Sequence, residues 1–282
     1  FQLVVCPMPE LPEVETTRRG IATVMPGRRL RSLLVHEPRM RWPVPDHLAQ
    51  TVEGQIVRRC ERRGKYLLIG FDNGTMLVHL GMSGSLRRAL PDETKRKHDH
   101  IEWLFDDARF LLHDPRRFGA VLWHDHGSGP VQTHPLLVKL GMEPFDPGFT
   151  EKTLHNAFKN RKQAIKTALL AGDVVVGVGN IYASEALFRA RINPKIAAGR
   201  LSLQRCARLH EAVLSTLSDA LHSGGSTLRD YVNATGTPGS YFDIHAAVYN
   251  RARQPCRVCQ TPIKKIIQGQ RATYYCPKCQ SK

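Results

Sequence analysis

No stretch of this 282-residue chain is apolar for long enough to cross a bilayer as a helix. The opening FQLVVC is short and has no basic region, so it does not read as a secretory signal. The LVVC within it has Val5 where a lipoprotein box needs a small residue. Internal repeats and low-complexity tracts are missing too. These absences set aside membrane-spanning, secreted and solenoid classes, and the expectation is a cytoplasmic protein without a membrane partner. Acid is also scarce. Lys and Arg number 41 against 25 Asp and Glu, a net charge of +16. The last 32 residues hold eight basic residues and no acid, which is half of that net charge. Such an excess favours a polyanionic partner, nucleic acid before an anionic membrane.

What is present divides the chain in two textures. Residues 12–20 predict a short helix: Pro12 suits its first turn, Glu13 and Glu15 suit the positive end of the helix dipole, and Gly20 can stop it. From about 22 to 125 the texture is that of strands. YLLIGF, MLVHLG, IEWLF, RFLLH and AVLWH are parted by turns such as DNG at 72–74, and read as an antiparallel β-sandwich or barrel. GSGP from 127 and EPFDPGF from 143 suit a linker. From 150 the pattern is helical. Cys206, Leu209, Val213, Leu217 and Leu221 recur at three- and four-residue spacing, with Gly224 and Gly225 beyond them. Residues 224–250 are rich in Gly, Thr, Ser and Asn and predict a loop that is partly mobile.

The seven cysteines form two sets. Cys6, Cys60 and Cys206 are scattered and read as free thiols, with Cys206 on the apolar face of its helix. Cys256-x2-Cys259, 16 residues, then Cys276-x2-Cys279 is the spacing of a four-thiolate structural zinc site. A zinc ribbon names no reaction. Arg271 lies between the two cysteine pairs and by itself is one more solvated arginine. The segment VVVGVGNIYASEALF contains Gly-x-Gly, but Tyr182 stands where a dinucleotide fingerprint needs its third glycine, which excludes that reading. A glycine-rich turn entering a helix still presents N–H groups to a phosphate, and Asn180 adds a side-chain donor. HDPRRFGA and HLGMSGS place Phe118 and Met82 on loops beside arginines, the composition of a wedge for a base stack.

In order along residues 8–282, PELPEVETTRRG, RRGKYLLI, HLGMSGSLR, KHDH, DPRRFGA, VGVGNIYASEALF, GGSTLRDY and CRVC…QRATYYCPKC resemble the formamidopyrimidine-DNA glycosylases. The related endonuclease VIII-like glycosylases share the Pro-Glu start, the helical module and often the ribbon. Met82, Arg116 and Phe118 look like the intercalating trio of the purine-lesion branch. The resemblance implies an α+β multidomain fold. An N-terminal antiparallel β-sandwich with an N-terminal helix occupies 9–130, and a linker 131–149. A helix-two-turn-helix DNA-binding module with a lesion-capping loop occupies 150–250, and the zinc ribbon 251–282, with DNA in the cleft between. It implies one structural Zn2+, double-stranded DNA containing oxidised purines as partner, a monomer, and association with the bacterial nucleoid when bound. One departure stands in VYNRARQPC, where Asn250 and Arg253 replace family glycines, so that the turn into the ribbon is open to change.

The implied activity is removal of 8-oxoguanine and formamidopyrimidines, followed by β,δ-elimination at the abasic site. The nucleophile resembles Pro9, acting through a free α-imino nitrogen; an α-amine titrates near about 8 and is partly unprotonated at neutral pH. Within a peptide bond that nitrogen is an amide. Residues 1–7 are therefore read as an over-extended reading frame or added residues, with Met8 as the start, later removed. Glu10 looks like the general acid/base. Lys65 matches the lysine at the lesion phosphate, and Arg271 the ribbon arginine that aids δ-elimination. His98, Arg116, Lys162 and Asn180 match phosphate-contacting positions. Two other readings are an oxidised-pyrimidine glycosylase of the endonuclease VIII type, and a lesion binder without catalysis if the N-terminal extension persists.

Overall fold

The structure, a computed structural model, describes residues 9–90, 92–226 and 239–281. The expectations for the segment before Pro9, for Cys6 and for the middle of the 224–250 stretch lie outside the described residues. Contacts divide the rest into two units. Residues 9–138 with 223–226 and 239–240 form the first, and 139–222 with 241–281 the second.

The first unit starts with a helix. Proline lacks an N–H and fits only the first turn, which is where α1 (Leu11–Ala22) holds Pro12. The helix does not stop at Gly20. It runs on to Ala22 because Ile21 is fully buried in the core, and that burial outweighs the roughly 1 kcal/mol glycine penalty. The alternating segments then build two antiparallel sheets. One has the order β1 (Ser32–Val35), β6 (Asp99–Leu104), β7 (Arg109–His113), β5 (Ser85–Ala89). The other has β2 (Arg59–Arg63), β3 (Tyr66–Gly70), β4 (Gly74–His79), β8 (Ala120–Asp125). Their inward residues share one core. Leu67, Ile69, Met76, Val78 and Val121 from the second sheet meet Leu33, Leu86, Ile101, Trp103, Phe110 and Leu112 from the first, with Val14 and Ile21 of α1. Trp103 donates its indole N–H to Met76 Sδ across the two sheets at 3.3 Å. The result is a sandwich rather than a barrel, completed by the short α2 (Leu48–Val52).

The second unit is helical, then a ribbon. Thr150 caps α3 (Glu151–Phe158) through a reciprocal bond with Thr153. α4 (Ile165–Ala171), α5 (Asn180–Arg189) and α6 (Leu203–His222) follow. Cys206, Leu209, Val213 and Leu217 form the buried face of α6, while Leu221 is only half-buried. After the four-residue α7 (Tyr241–Ile244), the chain is gripped by Glu185 of α5. Its fully buried carboxylate accepts the N–H groups of Ala247, Val248 and Tyr249 at 2.8, 3.0 and 2.7 Å. Burial pushes this carboxyl's pKa up, against the pull of the three N–H donors. The ribbon strands β9 (Lys264–Gln268) and β10 (Arg271–Tyr275) pair antiparallel. No helix among the described residues is long and apolar enough to cross a membrane.

The turn into the ribbon keeps a glycine-like backbone. Asn250 and Arg253 adopt positive φ, +59° and +69°. Asparagine tolerates this region, but arginine carries a Cβ penalty of about 1 kcal/mol. Arg253→Gly is therefore expected to stabilise the zinc-loaded protein by about 0.5 kcal/mol, the relief of strain exceeding glycine's added entropy cost. Urea unfolding measures it, and a loss of stability would show that the arginine side chain contributes more than its backbone costs.

Candidate active site and zinc centre

The first unit carries Pro9, Glu10, Lys65, Met82, His98, Arg116 and Phe118. Pro9 and Glu10 are both buried and lead directly into α1. Glu10 is its N-cap, at the positive end of the helix dipole. Glu13, one turn on, accepts the Glu10 N–H at 2.8 Å, and its other oxygen accepts the backbone N–H and hydroxyl of Ser226 at 2.6 and 2.8 Å. One carboxylate thus joins the start of the helix to the start of the stretch that sequence reading assigns to lesion capping. From the sequence alone Glu13 reads as a partner of the helix dipole. Its spacing of three from Glu10 is the capping signal that makes it more.

Lys65 is the second residue of the two-residue turn between β2 and β3. Gly64 before it has φ +57°, the positive value that the first position of a type II′ hairpin turn requires. Tyr66, next along, pairs with His79 across β3 and β4, with ring centroids 4.8 Å apart. His79 accepts the Gly81 N–H on Nδ1 at 3.0 Å. Burial first, then the charges of Lys65 and Arg41, lower its pKa to about 4. The ring is therefore neutral, with its proton on Nε2. Nothing local in HLGMSGS sets His79 apart from any other histidine at a strand end.

Met82 and Phe118 lie on neighbouring loops. Gly81, at φ +70°, approaches so closely that a Cβ there would sit 2.5 Å from backbone atoms of Phe118 and Gly119. The 114–119 loop is held by Asp114, whose carboxylate accepts the Gly119 N–H at 2.7 Å and whose carbonyl accepts from the Arg117 N–H and faces His100 Nε2. Arg116 stacks over the Phe118 ring at 5.1 Å, and Phe118 is 41 % exposed. An exposed aromatic beside an exposed guanidinium suits insertion into a base stack. His98, half-buried, lies about 6 Å from the rings of His100 and His113.

The second unit carries Lys162, Asn180, Arg271 and the four cysteines. Lys162 is exposed. Lys166, four residues on, is fully buried. Its ammonium donates to Asn180 Oδ1 at 2.5 Å, Ala272 O at 2.9 Å and Thr273 Oγ1 at 2.8 Å. Asn180 also donates to Ala272 O at 3.0 Å. So α4, the N-terminus of α5 and β10 are fastened together one residue from Arg271. The amide of Asn180 is occupied within this network, and its helix N-terminus is what it presents toward an anion. Nothing in the spacing of Lys162 and Lys166 tells which lysine is buried. Arg271 is exposed and follows the turn at Gly269 and Gln270.

The four sulfurs lie within 4.8 Å of one another, Cys256 to Cys279 at 3.9 Å and Cys259 to Cys276 at 3.4 Å. Disulfide sulfurs would be about 2.05 Å apart. A tetrahedron with Zn–S bonds of about 2.3 Å places sulfurs roughly 3.8 Å apart. The backbone N–H groups of Val258 and Cys279 point at Cys256 Sγ and Cys276 Sγ. Burial, then the neighbouring thiols, push Cys279 up to about 12. Cys259 goes the other way, lowered to about 6 by its hydrogen bonds with Thr261. Four sulfurs this close become thiolates together only around a cation. The residues fit one structural zinc, with no open position for chemistry.

A β-sandwich with a Pro-Glu helix start and a basic wedge, followed by a helical module and a four-cysteine zinc ribbon, defines a class: zinc-ribbon enzymes that process DNA. Comparison with known proteins narrows it. Residues 8–121 match the formamidopyrimidine-DNA glycosylase N-terminal domain. Residues 140–232 match the formamidopyrimidine-DNA glycosylase H2TH domain. Residues 253–282 match a zinc finger found in FPG and IleRS. The chain is 65 % identical over 275 residues to the formamidopyrimidine-DNA glycosylase of Bordetella petrii, covering 98 % of this chain and all of that one. Among solved structures it is similar to the Lactococcus lactis Fpg in complex with abasic-site DNA, with a TM-score of 0.89, 33 % identity and coverage of 97 % and 100 %. It is also similar to MutM in complex with DNA containing carbocyclic 8-oxo-G, with a TM-score of 0.88, 33 % identity and the same coverage. The chain belongs to the formamidopyrimidine-DNA glycosylase family.

Because a structural zinc contributes folding energy, Cys256→Ser or Cys279→Ser is expected to lower bound zinc and DNA affinity in parallel. Metal content by atomic absorption and DNA binding by anisotropy measure this; full binding by a zinc-free variant would count against a structural role.

Proposed function

We propose that this protein removes oxidised purines from double-stranded DNA and cleaves the strand at the resulting abasic site, with Pro9 as nucleophile. The observation that carries the reading is the Pro9–Glu10 pair at the head of α1, in the same unit as the Lys65 turn and the Met82 and Arg116–Phe118 loops. The complexes of its relatives with abasic and 8-oxo-G DNA support the substrate class.

The damaged nucleotide leaves the stack, and Met82, Arg116 and Phe118 fill the space it vacates. The lone pair of the Pro9 nitrogen forms a bond to C1′ as the N-glycosidic bond breaks and the base departs with a proton. Glu10 moves the proton that opening of the sugar ring requires. The resulting iminium acidifies the C2′ hydrogen. Its loss expels the 3′ phosphate, loss of the C4′ hydrogen then expels the 5′ phosphate, and water hydrolyses the remaining iminium, breaking the bond to Pro9 and releasing the unsaturated aldehyde. Lys65 and Arg271 contact the lesion phosphates, while His98, Arg116, Lys162 and Asn180 hold the backbone beside it. The bound zinc shapes the hairpin that carries Arg271. The protein acts as a monomer in the cytoplasm, on the nucleoid.

Pro9 is a secondary amine only when it heads the chain. Protein starting at Pro9 is expected to form a covalent adduct with 8-oxoguanine DNA under borohydride, whereas protein retaining Phe1 to Met8 is expected to form none. Glu10→Gln should block base excision yet still trap a preformed abasic site. Equal trapping by the extended protein would remove Pro9 from this role and make Lys65 the first suspect.

The phosphate contacts have a separate signature. Arg116→Ala and Lys162→Ala are each expected to weaken binding to damaged and undamaged duplex alike and to flatten the salt dependence by roughly one unit of slope. Titrations at several salt concentrations decide the matter, and an unchanged slope places the residue outside the interface.

A further inference from the structure

We infer that Glu15 and Arg62 are positioning residues for Lys65, holding the Gly64–Lys65 peptide against the helix that begins at Glu10. The inference rests on the reading of Lys65 as a lesion-phosphate contact. It concerns what aims that lysine, which neither the family motifs nor the turn geometry alone explains.

Lys65, at the tip of the hairpin, has a long, flexible side chain. Its aim depends on the backbone beneath it. Arg62 spans that backbone. Its Nη1 donates to the Gly64 carbonyl at 2.9 Å, and its Nε donates to Glu15 Oε2 at 3.1 Å. The Gly64 carbonyl and the Lys65 N–H belong to one rigid peptide plane. A bond to that oxygen therefore sets the direction of the Lys65 N–Cα bond, and with it the root of the side chain.

The other end of the strap is equally firm. Glu15 sits on α1, two residues beyond Glu13 and so on a different face of the helix, and its side chain is 14 % exposed; that of Arg62 is 12 % exposed. Glu15 also receives Arg18 through Nε and Nη2 and Arg19 through Nε. Burial pushes its pKa up, but these arginines outweigh it and hold the carboxyl below the usual range. Arg18 in turn donates to the Cys60 carbonyl of β2 at 3.4 Å. The helix that presents Pro9 and Glu10 is thus latched to β2 twice, and the latch nearer the tip continues to Lys65. Only a guanidinium does this, because its planar fork reaches a carboxylate and a carbonyl at once, whereas an ammonium serves them as a single point.

A purely structural ion pair would act through the fold as a whole, whereas a strap acts through Lys65. The test uses full-length protein starting at Pro9, with single-turnover cleavage of preformed abasic-site DNA. Arg62→Met is expected to slow cleavage by about tenfold, the size of effect that a misplaced group produces, and Arg62→Lys by nearly as much. In a Lys65→Met background the same Arg62→Met change should add less than about twofold, because the two residues act in series. Glu15→Gln should follow Arg62→Met in both backgrounds. Hydrogen–deuterium exchange gives a readout free of activity: the peptide spanning 63–68 should exchange faster in Arg62→Met while β4 and β6 do not. Multiplicative losses in both backgrounds, or unchanged exchange at the turn, would overturn the inference. A parent protein that neither traps nor cleaves DNA would overturn the proposed function instead, and the exchange measurement would still judge the strap. Should Arg62→Met lose its fold, Arg62→Lys and Glu15→Gln carry the same comparison.

Discussion

A lysine side chain removed from water ties three elements of the second unit together. A buried charge is costly unless its donors are matched, and Lys166 meets three neutral oxygens from two other elements, Asn180 at the start of α5 and Ala272 and Thr273 of β10. Moving any of these by an ångström would weaken a buried hydrogen bond. The ribbon hairpin is therefore held to the helices at one residue's distance from Arg271, and zinc held by Cys256, Cys259, Cys276 and Cys279 would fix its far end. Tyr249 adds to the joint, meeting Tyr274 edge to face with ring centroids 5.1 Å apart while its backbone N–H is held by Glu185. The buried carboxylate, the buried ammonium and the metal are three different chemistries serving one purpose: orientation of a short hairpin too small to have a core.

The first unit solves a similar problem by different means. Its sandwich has an ample apolar core, so the elements need no help to stay together. Its functional groups, however, sit at edges: a helix start, a hairpin tip, two loops. Carboxylates organise them. Glu13 gathers the Glu10 and Ser226 N–H groups, Glu15 gathers three arginines, and Asp114 gathers the loop with Arg116 and Phe118. In a chain with a net charge of +16, the acids that are buried are mostly spent on arranging cations and backbone donors. This explains how a surface can be strongly basic and still hold its arginines in defined places.

Much of the architecture was legible because it follows from local rules. Short apolar runs parted by turns mark β3, β4, β6, β7 and β8; the repeat on Cys206, Leu209, Val213 and Leu217 marks α6; Pro12 marks the first turn of α1. The misjudgements also have local causes. Gly20 looks like a stop, but burial of Ile21 carries the helix past it. Asn250 and Arg253 look like departures from a glycine turn, yet both adopt the glycine-like φ. Choice between sandwich and barrel required knowing that Trp103 and Met76 face one another across two sheets.

The cysteine spacing, the Pro-Glu start and the order of the motifs determined the family and the metal, because they depend on residue identity and on distances along the chain, which no folding alters. What tertiary structure alone decided is which of several similar residues does which task. Lys162 and Lys166 are alike in sequence, and only packing of α4 against β10 buries the second. Glu10, Glu13 and Glu15 share one helix, and only the positions of Ser226, Arg62 and the hairpin tip separate their roles. Burial and partner geometry are sums over contacts between distant segments, and those sums exist only once the chain has closed on itself.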